Sequence, residues 1–132
     1  MCRSTGRPTS GKVPIRFGTY NICNGRNGGL EAELRGMSQA NMDLGILQET
    51  KLTDGVYTHG SSGYSVIAAD APSRHRGGVA IFYRSEPHFV VEAVEKFGPN
   101  VIGFHIATGE RQWYIVGVYL APEDTTTMER VI

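Results

Sequence analysis

Cysteine is scarce in this chain of 132 residues: Cys2 and Cys23 are the whole supply. One lies in a polar amino-terminal stretch and the other in a predicted strand. That excludes a disulfide framework as the organising device and fits a reducing compartment. The histidines, His59, His75, His88 and His105, are scattered. Without a Cys-x-x-Cys or His-x-x-x-His spacing, a structural zinc site is not expected. Long apolar runs are missing too: nothing approaches the ~18 residues of a membrane helix. The polar first dozen residues do not resemble a secretion signal. The expectation is a soluble intracellular protein.

Net charge is also lacking, since 13 basic residues balance 13 acidic ones, and the total says nothing about partners. The distribution says more. Residues 1–30 hold Arg3, Arg7, Lys12, Arg16 and Arg26 and no acid, while Asp and Glu dominate after Arg84. A basic arm fits a polyanionic partner, and an unstructured tail looks the same. With 40% hydrophobic and 20% charged residues the chain is ordinary globular protein of one domain at most. Its 17 glycines exceed the usual ~7% and point to turns and strands over long helices.

What is present centres on residues 43–51. Leu44-Gly45-Ile46-Leu47 is an apolar run without charge, the pattern of a strand buried on both faces. It ends abruptly in Gln48-Glu49-Thr50-Lys51. Chemistry collects at the ends of buried strands, where side chains leave the core yet stay rigidly held. Glu49 is therefore the first candidate for a metal ligand or catalytic carboxylate. The competing reading is a solvated turn residue near a surface ion pair.

Residues 1–14 read as a flexible basic arm. Gly6-Arg7-Pro8-Thr9-Ser10-Gly11-Lys12 approximates a phosphate loop, but Val13 replaces the required hydroxyl residue and no strand precedes it. Residues 15–23 alternate as a strand and run into an Asn/Gly loop through Asn24-Gly25 and Asn27-Gly28-Gly29. Leu30, Leu34 and Met37, spaced i, i+4, i+7, predict a helix ending near Asn41. With the strand at 44–47, this order puts Asn21 and Glu49 at neighbouring strand ends. Residues 53–62 read as a polar loop. Strands are then expected at 64–69, 78–84, 88–94, 101–107 and 112–120, the last two as a hairpin. Trp113, Ile115, Gly117 and Tyr119 fall on one face of the final strand. Thr126-Thr127-Met128-Glu129 is a capping box that begins a helix with no room to continue before Ile132. The pattern reads as part of a domain.

Taken together, Thr19-Tyr20-Asn21-Ile22, Leu47-Gln48-Glu49-Thr50-Lys51, Gly63-Tyr64-Ser65, Arg76-Gly77-Gly78-Val79-Ala80 and Val118-Tyr119 resemble the endonuclease/exonuclease/phosphatase superfamily. Within it they are most similar to the apurinic-type endonuclease domain at the front of non-LTR retrotransposon polyproteins. The resemblance covers residues 15–132. It implies an α+β fold, the DNase I-like four-layer α/β/β/α sandwich, here incomplete, and Mg²⁺-dependent phosphodiester hydrolysis on DNA in the nucleus. Residue by residue it implies Glu49 as the metal-binding Glu, Asn21 as the active-site Asn and Tyr119 as the active-site Tyr.

Each role suits the chemistry. Mg²⁺ takes one or two carboxylates with waters and substrate phosphate. An Asn amide donates to phosphate without opposing its charge, and a phenol donates as negative charge develops. Asn21 could instead merely cap its loop, and Tyr119 could be core with a wet hydroxyl. Arg74 and Arg76 could touch a DNA backbone, or form a solvated basic loop. The family's Gly-Asp-x-Asn strand end and Ser-Asp-His segment do not occur in these residues. The expectation is therefore a truncated, inactive copy of the nuclease domain, with a loosely packed or aggregation-prone state from an uncovered sheet face. A non-enzymatic nucleic-acid-binding remnant and a fragment of another phosphoesterase of the superfamily are the alternatives.

Overall fold

A computed structural model of the chain describes residues 14–59, 62–85, 87–109 and 111–120. The amino-terminal arm up to residue 13, Cys2 and the capping box at 126–129 lie outside the described residues. Among the described residues no helix is long and apolar enough to cross a membrane.

Strand β1 (Phe17–Asn21) leads through helix α1 (Gly29–Gln39) to strand β2 (Leu44–Gln48). The helix forms where Leu30, Leu34 and Met37 recur on one face, and all three are buried. It stops through its hydrogen bonds. The Met42 N–H donates to the Met37 carbonyl and the Asn41 N–H to that of Ser38, while Asn41 takes φ 60°. This left-handed Asn closure satisfies carbonyls that the helix itself leaves open. β1 and β2 then pair in parallel, with Asn21 opposite Gln48.

The remaining strands are β3 (Gly55–His59), β4 (Tyr64–Ala68), β5 (Val79–Arg84), β6 (Val90–Lys96), β7 (Val101–Ala107) and β8 (Gln112–Val118). Two sheets result, with orders β1-β2-β5-β4-β3 and β6-β7-β8. The fold is α+β: the larger sheet is mixed, with β1–β2 parallel and its other pairs antiparallel. The smaller sheet is antiparallel throughout, and its β7–β8 hairpin is the one expected.

Three expectations need correction. The stretch read as a polar loop contains β3, an edge strand that pairs only with β4 and leaves Val56 exposed. One-sided pairing asks for little apolar content, so its sequence looks like loop. The strand expected at 88–94 begins and ends two residues later. It carries a bulge between Glu92 and Glu95, with Ala93 at φ 55°, which breaks the period of two. Cys23 lies beyond β1, exposed and at φ 65°.

The core follows from strand alternation. One face of the larger sheet presents Leu47, Tyr64, Val66, Ala68, Ala80 and Phe82 to the buried face of α1. The other presents Leu44, Ile46, Val79 and Ile81, which share a second cluster with Ile102, Phe104 and Ile106 of β7. β2 is thus buried on both sides, as its apolar run requires. The sheets approach closely at Gly117, where an added Cβ would lie 2.6 Å from the Ile46 side chain. On the smaller sheet Tyr114 and Val116 are exposed.

Candidate active site

The ends of β1 and β2 meet the end of β8 and the segments that enter β5 and β7. From β1 the chain turns immediately: the Asn21 Oδ1 accepts the Cys23 N–H at 3.0 Å, and the Ile22 N–H donates to the Gln48 carbonyl at 3.0 Å. The side-chain oxygen of Asn21 thus does cap its own loop. Its amide NH₂ is the part with the chemistry to donate to a phosphate. The loop returns to β2 through the Gly25 N–H, which donates to the Thr50 carbonyl at 2.8 Å.

After β2 the backbone takes an unusual course. Glu49 has φ 54° and Lys51 φ 57°, with fully buried Thr50 between them. Left-handed conformations in residues other than Gly and Asn are sparsely populated and persist where surrounding bonds hold them. Here the Thr50 N–H donates to the Gly78 carbonyl at 3.3 Å and the Lys51 N–H to that of Gly77 at 3.0 Å. Gly78, at φ 98°, must be glycine, because a Cβ would fall 2.7 Å from the Thr50 Oγ1.

The other sheet closes the arrangement. Asn100, at the entry to β7, is buried, and its Oδ1 accepts the Gly78 N–H at 2.9 Å. The Pro99 carbonyl accepts the Val79 N–H at 3.1 Å, and the Asn100 carbonyl accepts the Tyr119 N–H at 2.9 Å. Tyr119 then reaches back, and its hydroxyl donates to the Glu49 Oε2 at 2.7 Å. This bond, which favours the neutral phenol, pushes the Tyr119 pKa up from its ordinary value. Burial, the Glu49 charge and nearby Cys23 add smaller effects in the same direction.

A domain with this architecture is already known. The endonuclease domain of TRAS1, a telomere-specific non-LTR retrotransposon, superposes with a TM-score of 0.64 at 20% sequence identity. This chain has the fold of that endonuclease domain. The match covers 91% of this chain and 54% of the TRAS1 domain, so the chain spans about half the length of that relative. No family model and no curated protein matches the sequence.

Of the residues expected at the site, Glu49 and Tyr119 are in direct contact, and Asn21 ends the strand beside Glu49's own. Arg74 and Arg76 stand exposed on the turn 73–76, which grows from the Gly77–Gly78 segment holding Lys51 and Thr50. Asp70 follows β4, where its carboxylate accepts the Asp54 N–H at 3.3 Å. Among the described residues no three His, Cys, Asp or Glu side chains cluster to hold a metal. A single carboxylate still suits Mg²⁺, which keeps several waters and completes its shell with substrate oxygens. Thr50 and Asn100 were not singled out from the sequence. The Gly98-Pro99-Asn100 turn signal was there to see, but nothing in it marks the amide as buried.

Proposed function

We propose that this chain carries the amino-terminal part of a Mg²⁺-dependent DNA endonuclease domain of the endonuclease/exonuclease/phosphatase superfamily. The carrying observation is the Glu49–Tyr119 contact at the shared strand ends, in a fold found in a retrotransposon endonuclease domain. In this reading the two sheets are the inner pair of a four-layer sandwich and α1 belongs to one outer layer. Glu49 holds the metal, which when bound supplies a Lewis acid to the phosphate and an activated water. The single Tyr119 hydroxyl proton orients the Glu49 carboxylate before substrate is bound and would turn to a phosphate oxygen as charge develops there. Asn21 donates its NH₂ to the same phosphate, and Arg74 and Arg76 neutralise flanking phosphates.

The water-activating Asp and His of this superfamily belong to the Gly-Asp-x-Asn and Ser-Asp-His segments, which these residues do not include. The 132 residues alone should therefore bind a divalent ion and DNA without cutting. The test is a supercoiled-plasmid nicking assay with Mg²⁺, run beside an Mn²⁺ titration followed by paramagnetic line broadening. The expected result is no nicking, with broadening near Thr50 that disappears in Glu49→Ala. Nicking that Glu49→Ala abolishes would show that the chain is an enzyme unaided. Broadening indifferent to Glu49 would overturn the metal assignment.

The exposed Arg74–Arg76 turn favours one other reading, a module that binds nucleic acid without catalysis. It predicts steeply salt-dependent DNA affinity that Glu49→Ala leaves unchanged.

A further inference from the structure

We propose that Asn100 is a positioning residue that sets the Glu49–Tyr119 geometry. Five hydrogen-bonded or covalent links close a ring through it. The Tyr119 hydroxyl donates to Glu49; Glu49 is bonded to Thr50; the Thr50 N–H donates to Gly78; the Gly78 N–H donates to the Asn100 Oδ1; and the Asn100 carbonyl accepts the Tyr119 N–H. Glu49, Thr50 and Gly78 flank strands of the larger sheet, Asn100 and Tyr119 strands of the smaller. The site is therefore split between two sheets that share no strand. Their separation at this end is fixed by the Asn100 side chain together with the backbone bond from Val79 to Pro99.

The side chain has the properties that this task demands. Asn100 is 7% exposed, so its bond to Gly78 is shielded from competing water. Gly78 is held in turn by packing against Thr50 and Ala71, where even a methyl group would collide. A shift of Asn100 would be passed through the Gly78 carbonyl to the Thr50 N–H, one residue from Glu49, at a backbone already in the left-handed region. The same shift would move the Tyr119 N–H at the other end of the ring. One residue thereby bears on both ends of the contact, on Gly78 through its side chain and on Tyr119 through its backbone carbonyl, although its amide touches neither the carboxylate nor the phenol.

This inference rests on the reading of Glu49 and Tyr119 as site residues. Its test reads their contact alone, without metal or DNA, so the two can fail separately. In the full chain, the thermal midpoints of Glu49→Gln, Tyr119→Phe and the double variant form a cycle. The cycle is repeated in Asn100→Ala, or in Asn100→Ser should the alanine variant not fold, and in Asn100→Asp, which keeps an oxygen for the Gly78 N–H. The expected result is a non-additive cycle in the parent and in Asn100→Asp. The losses should become additive in Asn100→Ala, with disappearance of the ring-to-Glu49 nuclear Overhauser effect of Tyr119. If Asn100 merely stabilised the fold, every midpoint would fall together and the non-additivity would survive; that result overturns the proposal. An additive cycle in the parent overturns it as well.

Discussion

The Tyr119 hydroxyl donates to the Glu49 Oε2 at 2.7 Å across 70 positions of sequence, joining the end of β8 to the end of β2. The two residues can be separated by mutation, because one supplies charge and the other only direction. Tyr119→Phe removes the donor and keeps the carboxylate, whereas Glu49→Gln removes the charge that attracts a divalent ion. We expect Mn²⁺ affinity in Tyr119→Phe to stay nearer the parent than to Glu49→Gln, measured by line broadening at constant ionic strength. The lost bond should cost about 0.5–1.5 kcal/mol in chemical denaturation.

Tyr64 gives the fold an alkaline limit. Its side chain is fully buried against Phe82, and its hydroxyl donates to the Met42 carbonyl at 2.5 Å. Burial pushes the phenol above its ordinary value of 10.0; Arg84, stacked on the ring, opposes this, and Asp43 and Tyr20 reinforce it. The folded state thus holds the proton more tightly than the unfolded chain. That stability is complete below pH 10 and is lost as pH rises through the folded pKa. Denaturant midpoints should fall above pH 10, and Tyr64→Phe should flatten that fall while lowering stability near neutrality.

Gly45 tolerates no side chain. An added Cβ would stand 1.9 Å from the Gly18 carbonyl oxygen, its partner in the β1–β2 ladder. Backbone cannot rotate aside as a side chain can, so Gly45→Ala should cost about 3 kcal/mol, the upper end for overpacking, or more. Gly109, with open space around its Cβ position, is the control, and Gly109→Ala should leave the denaturation midpoint nearly unchanged.

The ion pair between Lys96 and Asp54, at 2.5 Å, joins two partly exposed side chains. Its removal by Lys96→Ala should change stability by less than about 1 kcal/mol. Arg74 and Arg76 should matter only with nucleic acid present. Replacing both by Ala should lower the slope of log affinity against log salt by about 2 and leave the thermal midpoint unchanged.

Much of this fold is legible in the sequence because its signals are local. The run Leu44–Leu47 announces a strand buried on both faces, and the spacing of Leu30, Leu34 and Met37 gives the helix. Parallel pairing through that helix then sets Asn21 opposite Gln48, the residue before Glu49. The edge strand β3 was hidden because it needs pairing on one side only, and Ala93 hid the course of β6 by breaking its alternation. Glu49 and Tyr119 could each be suspected from a strand end, but their contact could not. It depends on how two sheets dock, and no pattern of period two or 3.6 encodes that. Asn100 was invisible for the same reason, since its role lies in one long-range bond to Gly78.

The division of the site between two sheets has a consequence for the nascent chain. During synthesis Glu49 leaves the ribosome with β1, α1 and β2, well before Tyr119 exists. Carboxylate and phenol can meet only after β8 has been made and its sheet has settled against the first. Contacts of such long sequence separation form slowly. A growing polypeptide therefore passes through a long interval in which Glu49 is exposed without its phenol, and the assembled pair marks a chain whose sheets have docked.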